Sequence, residues 1–371
     1  MPEFQVELKK TVDDSYTIEI GQHLAQQLAD DLAGGLAGRV SKFAIITDSE
    51  VEPLYAAPIA AELTKRGMKN DTFVIPAGEQ SKTREMKAEL EDQMLAAGYR
   101  RDCCVIAAGG GVVTDLAGFL AGTYGRGVPF VNYATTLLAA ADASVGGKTA
   151  VDTPLATNLI GLFHQPQKVY IDLAAWSTLP KRQICSGLSE TIKHACLADS
   201  AFFEYLEAHM EDLLRLDPDA CLHIAEENCR IKYQVVMQDE KETSGLREVL
   251  NLGHTVGRAI ETVSGYRLLH GEAVAIGLAA QARLAAELGF MSEAEEARVT
   301  ELLRRAQLPV KIPEYIDREA LVKKLYTDKK VRDGRIRFVL EKGIGSVMRF
   351  ADGSYSLPVT EEQARRIINE I

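Results

Sequence analysis

The chain has 371 residues, with 42 Lys+Arg against 53 Asp+Glu for a formal charge of −11, and is 46% hydrophobic and 26% charged. That balance can bury a sizeable core, excludes a disordered chain and, at this length, fits two domains. The acidic surplus, without a run of Lys/Arg, argues against nucleic acid or an anionic membrane as partner and leaves a small anionic substrate open.

MPEFQVELKK lacks the basic-then-apolar pattern of a secretory signal, and the longest uncharged apolar run, GVPFVNYATTLLAAA, stops at Asp142. A cytoplasmic protein without a membrane span is expected. The six cysteines show no CxxC spacing and several sit in apolar runs, so neither a disulfide framework nor a cysteine metal site is expected.

FAIITD (43–48), TFVIP (72–76), CVIAAGG (104–110), PFVNYAT (129–135) and VYID (169–172) are continuous apolar runs of strand length. Helical periods at 53–66, 82–97 and 112–123 alternate with the earlier runs. The first half therefore predicts a Rossmann-like parallel sheet covered by helices, with ligands at the carboxyl ends of the strands. From about residue 180 helical patterns follow one another, at 181–198, 201–215, 217–239, 249–264, 271–289 and 293–306. One exception is RIRFVL (335–340) with SVMRF (346–350), which reads as a hairpin. With the boundary at TLP (178–180), the expectation is an α/β domain over 1–180 and a helical domain over 181–371.

AAGGGVVTDLAGF (107–119) places three glycines between a buried strand and a helix, where free N–H groups and the helix dipole suit a diphosphate. The same glycines fit a tight turn without a ligand, and the spacing is not GxGxxG. Asp48 at a strand end could accept from a ribose hydroxyl or simply cap a turn, and Glu79 and Lys82 lie at the same sheet edge. Lys148 follows Gly146-Gly147 in a weakly charged segment. It reads equally as an ammonium aimed at an anionic substrate or as a solvated hairpin tip. In the helical half, His254 and His270 stand in glycine-flanked contexts and Glu190 lies on a helix with an apolar face. One carboxylate and two imidazoles could form a three-ligand site with an open position, as in catalytic zinc. Capping or core histidines and an acid paired with Lys193 or His194 fit the same spacing.

Taken together, GGGVVTDLAGF, TTLL…D…SVGGKTAVD, NLIG…HQP…ID…TLP, GLSETIK, LNLGHT…AIE and LHGEAVAIG resemble the 3-dehydroquinate synthase family of sugar phosphate cyclases, from about Asp48 to DKK…RFVL (328–340). The resemblance implies an α/β N-terminal NAD-binding domain and an all-α C-terminal metal-binding domain, with the active site between them. It matches Glu190, His254 and His270 to ligands of one divalent metal, zinc with cobalt as alternative. It matches Asp48, Glu79, Lys82, Gly110, Gly111, Val112, Asp115, Thr135, Thr136, Lys148, Thr157 and Thr178 to the NAD side. Asp142, Lys148, Asn158 and Lys193 fall at catalytic positions, and Lys232, Arg247, Asn251, Arg258 and Arg337 at substrate positions. Arg126 matches an arginine that reaches a neighbouring subunit's substrate phosphate, which implies a homodimer. The implied substrate is 3-deoxy-D-arabino-heptulosonate 7-phosphate, oxidised transiently by NAD+, relieved of phosphate, reduced again and closed to 3-dehydroquinate.

Three positions depart from the family pattern: Thr157 stands where lysine is usual, Arg258 where histidine is usual, and Ala134 where proline is usual. Arginine keeps a donor for phosphate but cannot shuttle a proton at neutral pH. GGKT at 146–149 sets the chain apart from 2-deoxy-scyllo-inosose and 2-epi-5-epi-valiolone synthases, whereas aminodehydroquinate synthase shares it. A metal-dependent NAD polyol dehydrogenase would instead form net NADH and usually carry Asp for Glu190.

Overall fold

The computed structural model describes residues 4–8, 11–326 and 335–371. Two elements precede the expected run, β1 (Thr17–Gly21) and α1 (Ala25–Ala33). Then come β2 (Lys42–Asp48), α2 (Ala57–Lys65), β3 (Asn70–Ile75), α3 (Arg84–Ala96), β4 (Cys103–Gly109), α4 (Gly111–Thr123) and β5 (Phe130–Ala134). An antiparallel hairpin of β6 (Lys148–Val151) and β7 (Ile160–Phe163) intervenes before β8 (Lys168–Asp172). The six-stranded sheet has the order β1-β8-β5-β4-β2-β3, and its pairs are parallel. Every residue of β4 and β5 is buried, which is why both read as unbroken apolar runs. β1 escaped the sequence reading because TIEIG is a half-exposed edge strand with little apolar content.

The helical half contains α5 (Lys181–Ala198), α6 (Ser200–Leu214), α7 (Pro218–Gln238), α8 (His254–Val263), α9 (His270–Glu287), α10 (Glu293–Arg305) and α11 (Arg318–Leu325). It closes with β9 (Ile336–Val339), β10 (Ser356–Val359) and α12 (Glu361–Glu370). Asp199, Asp217, Ser292 and Asp317 cap α6, α7, α10 and α11 by accepting N–H bonds of the first turn. Two expectations need correction. The helix expected over 249–264 begins only at His254, because Gly253 adopts φ +77 and residues 246–251 form a tighter 3-10 turn. The partner of β9 is not SVMRF but Ser356–Val359. The 341–347 turn is tied away from the ladder, with the Gly345 N–H donating to Cys196 O at the end of α5 (2.9 Å), and among the described residues SVMRF meets the RIRFVL end through the Glu341–Val347 bridge and the Met348 N–H bond to Leu340 O (2.9 Å). DKK (328–330) lies outside the described residues.

The 178–180 boundary falls between β8 and α5, but the largest apolar cluster runs across it, packing Ile171 and Trp176 with Ile192, Phe203 and Ile276. This shared core fixes the carboxyl edge of the sheet against the helices. The six cysteines are buried free thiols. Among the described residues no helix is long and apolar enough to cross a membrane.

Candidate active site

His254 and His270 are the first residues of α8 and α9, and both rings converge on Glu190 in the middle of α5. Glycines permit that convergence: a Cβ on Gly271 would lie 1.9 Å from Ser186 O of α5, and one on Gly277 1.8 Å from Gly253 O. His254 Nε2 and His270 Nε2 lie 3.6 and 3.5 Å from Glu190 Oε1. The Nδ1–H groups donate elsewhere, to Leu252 O (3.0 Å) and Glu261 Oε2 (3.2 Å). Each imidazole is thus oriented by an outer acceptor with Nε2 toward the centre, the usual arrangement of metal-ligating histidines.

Glu190 is fully buried, and its Oε1 has no partner at hydrogen-bonding distance among the described residues. The other oxygen accepts from Lys193 Nζ. Burial would raise the Glu190 carboxyl, yet Lys193 and both histidines hold it well below the usual carboxylate range. Burial keeps His254 neutral against the pull of Glu190. For His270 burial is outweighed by Glu261 and Glu190, which raise it to about 10. An ionised carboxylate oxygen lacking a donor and two directed imidazoles within 4.8 Å of one another fit a divalent cation. Asp142, Glu190 and His194 are equally close together, but Asp142 Oδ1 is already matched by Lys232 (2.8 Å) and Lys193 (3.9 Å).

A cleft of about 800 Å³ opens beside this trio, lined from the first half by Asp115, Asp142, Lys148 and Asn158. The helical half contributes Lys193, Lys232, Arg247, Asn251, His254, Arg258 and Arg337. Although burial would raise it, Lys232 and Lys193 hold the Asp142 carboxyl well below its usual range. Lys148 starts β6 after Gly146 (φ +97) and Gly147 (φ +65), half-exposed and ion-paired with Glu242, so it is neither a bare cation nor a solvated tip. Arg247 is buried and bonds Gly146 O (3.1 Å) and Glu240 O (2.6 Å). Arg337 is held by Ser356 Oγ (2.9 Å) and Ser354 Oγ (3.1 Å). Arg258 also lines the cleft, and among the described residues it has no ion-pair partner.

Of the nucleotide-side positions, Asp48, Glu79, Lys82, Gly110, Gly111, Thr135 and Thr136 follow the carboxyl ends of β2, β3, β4 and β5, whereas Lys148 starts β6, Thr157 lies in the β6–β7 loop and Thr178 beyond β8. Among the described residues no side chain caps α4, so the leading N–H groups at Gly111, Val112 and Val113 remain available to an anion. The glycines there avoid contact rather than strain, since a Cβ on Gly110 would meet Thr136 at 3.1 Å and none of Gly109–Gly111 has positive φ. Among the described residues Thr135 Oγ1 is buried without a partner, whereas Thr136 Oγ1 accepts from Ala139 N (3.1 Å). Asp48 Oδ1 caps its own turn through Glu50 N (2.9 Å) and Val51 N (3.0 Å), which leaves Oδ2 for a ligand. Lys82 is buried between Asp115 (2.6 Å), Asn158 Oδ1 (2.6 Å) and Glu79 (3.5 Å), so it ties the 79–82 loop to Asn158, itself at φ +53. Burial, with Glu261 and Asp152 nearby, pushes Glu79 up to about 7 against the pull of Lys82. Thr178 bonds Tyr55 OH (2.8 Å), and Thr157 is half-buried.

Arg126, exposed at φ +74, does not line the cleft of its own chain. Two carboxylates went unnoticed in the sequence, Glu242 on Lys148 and Glu261 on His270. Glu242 lies in a polar stretch and Glu261 closes the AIE motif, but nothing in either context assigns the carboxylate a partner.

Family models described as 3-dehydroquinate synthase N-terminal and C-terminal match residues 72–186 and 187–331. A 3-dehydroquinate synthase of Caldanaerobacter subterraneus is 47% identical over 310 residues, 83% of this chain and 86% of that one. That of Desulforamulus reducens is 44% identical over 339 residues, 91% and 94% of the two chains. Among solved structures, a 2-epi-5-epi-valiolone synthase of Streptomyces hygroscopicus with NAD+ and Zn2+ bound superposes with TM-score 0.86 at 30% identity over 99% of each chain. A glycerol dehydrogenase of Schizosaccharomyces pombe (TM-score 0.64, 16% identity, 98% of this chain and 91% of that one) shares the fold.

Proposed function

The chain belongs to the 3-dehydroquinate synthase family, and from that premise we propose that its cleft converts 3-deoxy-D-arabino-heptulosonate 7-phosphate to 3-dehydroquinate and phosphate, a step of aromatic amino acid biosynthesis. The observation that carries this is the Glu190–His254–His270 trio, open to a cleft whose rim gathers Lys148, Lys193, Lys232, Arg247 and Arg258. A substrate with a carboxylate and a phosphate needs such a ring of cations on a protein whose formal charge is −11.

A divalent cation, for which zinc is our choice, would be held by Glu190, His254 and His270 and would supply Lewis-acid polarisation of substrate oxygens. NAD+, which the α4 N-terminus, Asp48 and Thr135 would hold, would supply reversible hydride acceptance. The chain's own side chains then do the positioning. Arg258 and Arg337 take the phosphate. Lys148 exchanges Glu242 for a substrate anion. Asp142, kept ionised by Lys232 and Lys193, accepts from a substrate hydroxyl, and Asn158 and Asn251 orient the remaining oxygens. Fixed charges placed before the reaction stabilise developing charge without reorganisation. We further propose a cytoplasmic homodimer; the dimer is supported by Arg126, which is exposed, does not line the cleft of its own chain and matches the family arginine that reaches a neighbouring subunit's substrate.

The test is chromatographic. Incubation with the heptulosonate phosphate, NAD+ and zinc should yield 3-dehydroquinate. Turnover of an aminated or unrelated sugar phosphate in its place would replace this assignment.

A further inference from the structure

Glu261 bonds a ring that the reading above makes a metal ligand. We propose that Glu261 is the positioning residue for His270, fixing its Nε2 toward Glu190 and raising the affinity of the trio for a divalent cation. The proposal rests on Glu190, His254 and His270 being the ligands.

The geometry is specific. Glu261 stands seven residues after His254 on α8, two turns along the same face. The His270 ring lies between two carboxylates, with Nδ1 3.2 Å from Glu261 Oε2 and Nε2 3.5 Å from Glu190 Oε1. Glu261 is nearly buried, its side chain 12% exposed, and among the described residues the only hydrogen-bond donor to its carboxylate is His270. A carboxylate kept from water needs such a donor. The two histidines are oriented differently: His254 donates to the neutral Leu252 carbonyl, whereas His270 donates to an anion. An anionic acceptor locks the ring through a charge-assisted bond and makes Nε2 a stronger donor to metal. Holding α8 on α9 does not require this bond, because close backbone packing already joins them at Gly253–Gly277 and Gly257–Ala273.

The experiment uses the full chain, stripped of metal by chelator and titrated with Co2+, reading the visible absorption of the bound ion and its competition with a chelator. Glu261→Ala should bind Co2+ roughly 10–100-fold more weakly than the parent. Glu261→Gln, which keeps the shape and a neutral acceptor, should fall between them. Both should show altered Co2+ absorption while circular dichroism of the metal-free protein stays near the parent's. In a His270→Ala background Glu261→Ala should cost nothing further. Affinities within twofold of the parent in both variants would overturn the proposal. So would an equal loss in the His270→Ala background, since Glu261 would then act through the fold. A parent chain that fails to bind Co2+ at all would remove the ligand assignment and the proposal with it.

Discussion

Lys193 donates to one oxygen of Glu190 while the other oxygen faces His254 and His270, so a single fully buried carboxylate is shared between a fixed ammonium and the proposed metal position. Removing one partner of a buried pair leaves the other uncompensated, at about 3–5 kcal/mol. Lys193→Met should lose about that much stability in urea after chelator treatment, and zinc should restore much of it by binding the folded state. An equal loss with and without zinc would show that Glu190 does not face the metal.

Of the three cleft guanidiniums, Arg247 and Arg337 are held by hydrogen bonds, whereas among the described residues the Arg258 side chain has neither a hydrogen bond nor an ion pair. Arg258→Ala should weaken substrate and inorganic phosphate binding by about 1.5–3 kcal/mol, roughly 10–100-fold. Arg258→His should bind phosphate well at low pH and lose affinity as pH rises through ~6.5, a dependence that a guanidinium does not bring. Phosphate titrations by calorimetry at several pH values check this, and parallel curves for the two proteins would contradict it.

Gly146 has φ +97, and a Cβ there would lie 2.6 Å from Arg247 Nη2 and 2.8 Å from Val236. Gly146→Ala therefore combines backbone strain of about 1–3 kcal/mol with displacement of Arg247. A fall in kcat/KM larger than the fall in kcat is expected, because a substrate cation moves while the trio does not. Unchanged steady-state kinetics would show that Arg247 does not act on the substrate.

Glu341 is fully buried and neither carboxylate oxygen has a partner among the described residues. Burial pushes it up to about 8 from 4.5. Below 4.5 folded and unfolded chains both hold this proton and the group costs nothing. Between those values the unfolded chain ionises first, so stability falls as pH rises, and above about 8 the full penalty applies. Glu341→Gln should melt higher than the parent at pH 8, with the gap closing toward pH 5. A pH-independent gap in thermal melts would contradict this.

The sequence showed the sheet where burial is two-sided. β2, β4 and β5 read directly as strands, while half-exposed β1 did not. It also showed the helices, but not that Gly253 would delay α8 until His254 or that Gly345 would send the chain past SVMRF to Ser356. The trio could be grouped because His254 and His270 carry unusual glycine contexts that become helix starts. Glu242 and Glu261 stayed hidden, because a carboxylate acquires its role only from the partner that folding sets against it. Asp48 illustrates the converse, since one of its oxygens does the turn-capping that any strand-end acid could do.

The central claim is that oxidation and reduction both occur within one turnover. Its most direct measurement follows phosphate release and absorbance at the NADH band together, in one sample of the protein with NAD+, zinc and 3-deoxy-D-arabino-heptulosonate 7-phosphate. Phosphate should appear in amounts equal to substrate consumed while the NADH band returns to its starting level. Steady accumulation of NADH without phosphate would contradict it and make the chain a dehydrogenase.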